Sequence, residues 1–197
     1  MDPRWRKLLD HMRHVHAIPE LSKFCELPPN PSIRQFNPRH AKAADAMCAD
    51  TGLATDTFPE FRDLIVSCSP LARWRKTYRD TAIGADFLDR FGCYEIVGAD
   101  GPFVCGCMRG FAVYASAGLH YPWHHHPAEE LYLVVAGTAE FAVKGKPSRT
   151  LRPGESVFHE SNQPHSMTTF DKPVMAYVMW RGEIDAPPAW TYPEEIA

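Results

Sequence analysis

The apolar positions of this chain change their period near its middle. In the first half they recur at helical spacing: Trp5, Leu8, Leu9, Met12 and Val15 lie three or four residues apart and would share one helix face. The same reading predicts helices over about 38–50, 58–67 and 84–91, and the stretch Leu27-Pro-Pro-Asn-Pro31 separates the first two. A turn, Val97-Gly-Ala-Asp-Gly-Pro102, marks the change. From there the apolar residues fall into short runs over 103–108, 111–117, 130–136, 139–144, 156–159, 166–170 and 174–180, bounded by Gly, Pro, Asn and Asp. That is the pattern of an antiparallel sandwich or barrel. The expected architecture is mainly β: a helical N-terminal region over 1–100 packed on a jelly-roll barrel over 101–197. In Leu131-Tyr-Leu-Val-Val-Ala136 both parities are apolar, with Tyr132 on the face opposite Leu131, Leu133 and Val135. Both faces of that strand are therefore expected to be covered, the outer one by the helical region or a second subunit.

Composition narrows the classes of function. With 197 residues and 45% hydrophobic content the chain can bury a full core. Its formal net charge of −3, with Lys and Arg scattered, offers no basic stripe for nucleic acid or anionic lipid, so small molecules are the expected partners. No segment approaches the apolar length of a membrane span, and the charged start Met1-Asp-Pro-Arg-Trp-Arg-Lys7 is not expected to act as a signal peptide. A cytoplasmic monomer or homodimer is expected. None of the six cysteines forms a C-x-x-C pair, which fits reduced thiols. Cys105 and Cys107 share parity on an expected strand and could pair on a metal; otherwise they are small buried apolar residues.

Candidate chemistry concentrates where the histidines do, since six of the ten lie between 120 and 165. Residues two apart on an extended strand point the same way, about 6.6 Å apart, so His124 and His126 can converge on one ion while His125 faces away. Glu130 and Tyr132 share a face in the same manner. The spacing Gly118-x5-His124-x-His126-x3-Glu130-x6-Gly137 resembles the first signature of the cupin superfamily. Pro153-Gly154-Glu155 and Pro164-His165 resemble its second, with Glu160 and Asn162 standing where that signature has proline and glycine. The resemblance implies one divalent transition metal held by His124, His126, Glu130 and His165. Three imidazoles and a carboxylate suit Fe(II), Zn(II), Mn(II), Ni(II) or Cu(II) alike. His125 and His159 read as exposed residues or neighbours of the ligands.

Within the superfamily, Tyr121-Pro-Trp-His-His-His-Pro-Ala-Glu-Glu-Leu-Tyr132, the helical first half and the closing Tyr177-Val-Met-Trp180 are similar to the cupin-type dimethylsulfoniopropionate (DMSP) lyases. The likeness is close over roughly residues 110–182. It implies β-elimination of a sulfonium zwitterion to dimethyl sulfide, acrylate and a proton. By the same likeness His126, Glu130 and His165 are ligands, His124 is a ligand or close neighbour, and Tyr132 is the base. Tyr121, His124, Tyr177 and Trp180 would bind substrate, and Trp123 is a further aromatic candidate; Trp180 would face the sulfonium through a cation–π contact. Two competing readings use the same ligands: an Fe(II) dioxygenase of a small molecule, and a non-catalytic small-molecule-binding cupin.

Overall fold

The computed structural model describes residues 1–75, 77–78, 81–192 and 194, so Pro193 and 195–197 of the expected barrel lie outside the described residues. The N-terminal region supplies α1 (Pro3–Val15), α2 (Pro19–Phe24), the short β1 (Ser32–Ile33), α3 (Lys42–Ala49), α4 (Pro59–Cys68) and α5 (Ala85–Arg90). Helix α1 starts with Asp2, whose carboxylate accepts the Arg4 backbone N–H at 2.9 Å, and with proline in the first turn. Its predicted stripe, Trp5, Leu8, Leu9, Met12 and Val15, is buried throughout. The six-residue α2 is too short to show a period and was not expected.

The strands are β2 (Phe91–Val97), β3 (Phe103–Val104), β4 (Met108–Ala115), β5 (His120–His125), β6 (Ala128–Gly137), β7 (Ala139–Val143), β8 (Arg149–Leu151), β9 (Ser156–His159), β10 (His165–Thr168), β11 (Val174–Gly182) and β12 (Ala189–Trp190). They form a seven-stranded sheet, β1-β3-β2-β4-β11-β6-β9, facing a five-stranded one, β12-β5-β10-β7-β8. This is a mainly β, two-sheet barrel with helices at its N-terminus, as expected. Two details differ from expectation. Two strands of the larger sheet precede the turn at 97–102: β1 pairs antiparallel with β3 and β2 with β4; both faces of β2 are largely buried, which hides the period of two. The run expected over 103–108 breaks at Cys105-Gly-Cys107, so the two cysteines sit in the link between β3 and β4 instead of on one strand. Their sulfurs are 3.2 Å apart, with Cys105 buried and Cys107 exposed.

The core has two parts, divided by the larger sheet. Leu131, Leu133, Val135, Met175, Tyr177 and Met179 face outward and pack with α1, α3 and α4. Tyr132, Val134, Val174, Ala176, Val178 and Trp180 face the other sheet and fill the barrel. The helical region thus covers the outer face of the sheet, as the double apolar parity of 131–136 requires. No helix among the described residues is long and apolar enough to cross a membrane.

Candidate metal centre

The link His126-Pro127 carries the chain from β5 in the smaller sheet to β6 in the larger one. His124 therefore stands on one wall, Glu130 and Tyr132 on the other, and His126 at the corner. Pairing brings in the rest: His165 of β10 lies opposite His124, while His159 of β9 and Trp180 of β11 flank Glu130. All five of His124, His126, Glu130, His159 and His165 are at most 3% exposed. Donor atoms of His124, His126 and His165 lie within 4.8 Å of one another, as do those of Glu130, His159 and His165.

Backbone carbonyls set the tautomer of three of these rings. Nδ1 of His124 is 2.8 Å from the Pro122 oxygen, that of His126 2.9 Å from Ala128, and that of His165 2.8 Å from Gln163. A carbonyl can only accept, so Nδ1 carries the proton, and each neutral ring turns the lone pair of Nε2 inward. Nε2 of His126 and of His165 then lie 3.3 and 3.1 Å from Glu130 Oε2. All three atoms are buried without a hydrogen-bond partner among the described residues. Lone pairs aimed at a buried carboxylate oxygen repel unless positive charge lies between them, and a divalent ion supplies it in the manner of carbonyl-braced histidine sites. The residues present fit the metal that the spacing implies.

Protonated imidazoles are the alternative source of that positive charge. Burial opposes a charge on Glu130, but the imidazoles of His126 and His165 outweigh it and hold its carboxyl well below the usual range. Burial also works against protonation of His126, yet Glu130 raises it. His124 and His159 are held well below the ordinary imidazole range, first by burial and then by His165. The other Glu130 oxygen accepts the Trp180 indole N–H at 2.6 Å, and the indole lies over His126 with centroids 4.3 Å apart. Trp180 thus positions two of the expected ligands.

Tyr132 shares the face of Glu130, with its ring edge-on to His159 at 5.7 Å. Burial and the Glu130 charge hold its phenol well above the ordinary range. Tyr121 stacks on His124 at 3.9 Å, and its hydroxyl is hydrogen-bonded to that of Tyr78. Tyr121 and His124 are three residues apart, yet both face inward. Pairing of β5 with β10 shifts by one residue between His124 and Tyr121, so a bulge at Pro122-Trp123 restores the face. His125 points away and bonds the Thr191 hydroxyl at 3.0 Å, as expected.

The structure corrects one substrate-pocket assignment. Tyr177 lies on the outer face of β11, fully buried among the helices, with its hydroxyl 3.0 Å from His16 Nε2. Three residues separate it from Trp180, so the pleat turns the two to opposite faces; parity alone would have shown this. Sequence reasoning also missed Tyr78, which lines the cavity from the helical region and belongs to no motif. His159 proves completely buried. The departure at Asn162 is absorbed locally: with φ at 57° it takes the left-handed conformation that asparagine tolerates, and its N–H donates to the His126 carbonyl at 2.8 Å.

The cavity beside these ligands is narrow, about 50 Å³, and is walled by Tyr78, Phe91, Phe111, Tyr121, Tyr132 and Trp180. A wider groove of about 780 Å³ between α2 and β7–β9 holds none of the expected site residues, so the chemistry is assigned to the narrow one.

Known proteins share both the sequence and the fold of this chain. The chain is 42% identical over 194 residues to dimethylsulfoniopropionate lyase DddQ of Ruegeria pomeroyi, covering 98% of this chain and 96% of that protein. The crystal structure of DMSP lyase DddQ from Ruegeria pomeroyi DSS-3 superposes with a TM-score of 0.96, covering 98% of this chain and 99% of the other at 42% identity. A chain from the crystal structures of the DMSP lyases RdDddP and RnDddQII gives a TM-score of 0.91 at 34% identity, covering 96% and 98%. The model of the dimethylsulfoniopropionate lyase family matches residues 29–176, and the chain belongs to that family of carbon–sulfur lyases.

Proposed function

We propose that the chain is a metal-dependent lyase that cleaves dimethylsulfoniopropionate by β-elimination, with Tyr132 as the base. The observation that carries this reading is the convergence of carbonyl-braced imidazole lone pairs and one carboxylate oxygen beside a tyrosine and an aromatic wall. His124, His126, Glu130 and His165 would hold the ion. When bound, a divalent cation draws charge from the substrate carboxylate, which acidifies the neighbouring C–H, and favours the phenolate of Tyr132.

The chain's own residues do the rest. Tyr132 takes the proton from the carbon next to the carboxylate. The C–H electron pair becomes the C=C bond of acrylate, and the C–S pair leaves with sulfur as dimethyl sulfide. The tyrosine proton then passes to water, so charge and atoms balance. Trp180, Phe111 and Tyr121 offer aromatic surface to the sulfonium without a nucleophile that its methyl groups could alkylate.

Stripping the purified protein with a chelator is expected to abolish dimethyl sulfide release from dimethylsulfoniopropionate. Reloading with Fe(II), Zn(II), Mn(II), Ni(II) or Cu(II) in turn should restore it with at least one of them, under nitrogen as well as in air. Full activity of protein shown by elemental analysis to be metal-free would reject the metal. A strict need for oxygen would reject the lyase in favour of oxygenase chemistry.

A further inference from the structure

We propose that Cys105 and Cys107 form a thiol–disulfide exchange site, which closes a bridge on reaction with a low-molecular-weight disulfide. The site stands outside the metal centre and rests on none of the chemistry assigned there. Cysteines two apart on an extended strand would hold their side chains parallel, about 6.6 Å apart. Here the chain bends at Gly106-Cys107, between β3 and β4, and the two sulfurs come to 3.2 Å, where the thiols share a hydrogen bond. A disulfide spans about 2.05 Å, so the pair needs only about 1.2 Å of closure. There is room for it: a Cβ built on Gly106 would meet no heavy atom within 4 Å, so the link borders open space.

The two thiols differ in access. Cys107 is exposed, so a dissolved disulfide can reach it, while Cys105 is buried. The Cys107 thiolate attacks one sulfur of the small disulfide, whose S–S bond breaks, and one thiolate leaves. The Cys105 thiolate then attacks the Cys107 sulfur of the mixed disulfide, and the second small thiolate leaves. Two electrons pass from the protein to the small disulfide, and the two thiol protons go through water to the departing thiolates. The hydrogen bond with Cys105, ahead of burial, holds the Cys107 thiol above its ordinary value, so exchange is faster on the alkaline side of neutrality. A bridge over one residue closes a very short loop, which constrains the unfolded chain least, and strained or exposed bridges are the readily reduced ones. The site is therefore a reversible one and not a structural staple. Other cysteines stand in contrast: burial pushes Cys25 and Cys68 up to about 12 and Cys93 up to about 11, and the Cys25 sulfur packs on those of Met108 and Met179 at 3.9 and 4.0 Å. Cys48, exposed on α3, is the control for a single accessible thiol.

Metal-loaded protein treated with oxidised glutathione at about pH 8.5 tests this, with intact mass and free thiols as readouts. In a Cys48→Ser background the protein is expected to lose two thiols and two hydrogens while retaining no glutathione, and excess reduced glutathione should return both thiols. Adding Cys105→Ser should stop the reaction at one stable glutathione adduct, because the resolving thiol is gone. Adding Cys107→Ser instead should slow thiol loss at least about tenfold, since only the buried sulfur of the pair remains. A Cys48→Ser protein that keeps all its thiols, or that ends as a stable glutathione adduct, would overturn the proposal. So would a bridge that still forms after either further replacement, because it would belong to another cysteine. Should a replacement unfold the protein, fragment masses of the oxidised parent decide: a bond between Cys105 and Cys107 supports the site, and a bond to any other cysteine, or none, overturns it.

Discussion

Trp180 shows how a single side chain can serve packing and chemistry together. Its indole N–H holds one oxygen of Glu130 at 2.6 Å while its ring covers His126. Trp180→Phe keeps an aromatic face for the sulfonium but leaves that carboxylate unbraced. Metal affinity is expected to fall about 10–100-fold in a chelator competition; unchanged affinity with a raised KM would make the residue a substrate contact alone. At this scale the sequence was informative where chemistry has a spacing. His124 and His126 were legible from an interval that places donors on one face, Glu130 and His165 from the resemblance to the cupin signatures, and the structure places the four near one another. The place of His159 beside Glu130 was not legible, because it comes from a strand pairing that no local interval encodes. Tyr177 was misplaced although its parity relative to Trp180 was available.

The glycines of the first signature act on whole elements. Gly137 ends β6 with φ at 71°, and a Cβ there would sit 1.9 Å from the Pro173 carbonyl oxygen. Gly137→Ala is expected to cost at least about 2 kcal/mol through the left-handed backbone and the clash, lowering Tm by at least about 4 °C in a thermal melt. A Tm within a degree of the parent would contradict it. The docking of α1 on the sheet carries a pH signature. His16 follows α1 and meets Tyr177, and burial lowers its pKa from 6.5 to about 4, against a smaller opposing effect of the Cys25 backbone. Because the folded value lies below the unfolded one, its contribution is complete above pH 6.5 and is lost as pH falls through about 4. The loss amounts to roughly 3 kcal/mol. Denaturant unfolding of metal-free parent and His16→Leu protein should therefore converge between those pH values, and parallel curves would reject the assignment. Elements were legible where they have one apolar stripe, as in α1, and obscure where both faces are covered, as in β2.

At the scale of the molecule, the helical region and the barrel share the larger sheet, and the candidate centre sits on its inner side between the two sheets. The outer face of β6 is held by helices while its inner face presents Glu130 and Tyr132, so the helices stiffen the strand that carries both. Family membership points to carbon–sulfur lyase chemistry; the metal centre and the tyrosine base are the proposal's own additions. The most direct test compares parent and Tyr132→Phe protein, each loaded with the same metal to the same content. Headspace dimethyl sulfide and acrylate in solution are measured with dimethylsulfoniopropionate as substrate. The parent should release the two in equal amounts, and the variant should be slower by about 10²–10⁴-fold with its metal content unchanged. Near-parental release of both products by Tyr132→Phe would contradict the account.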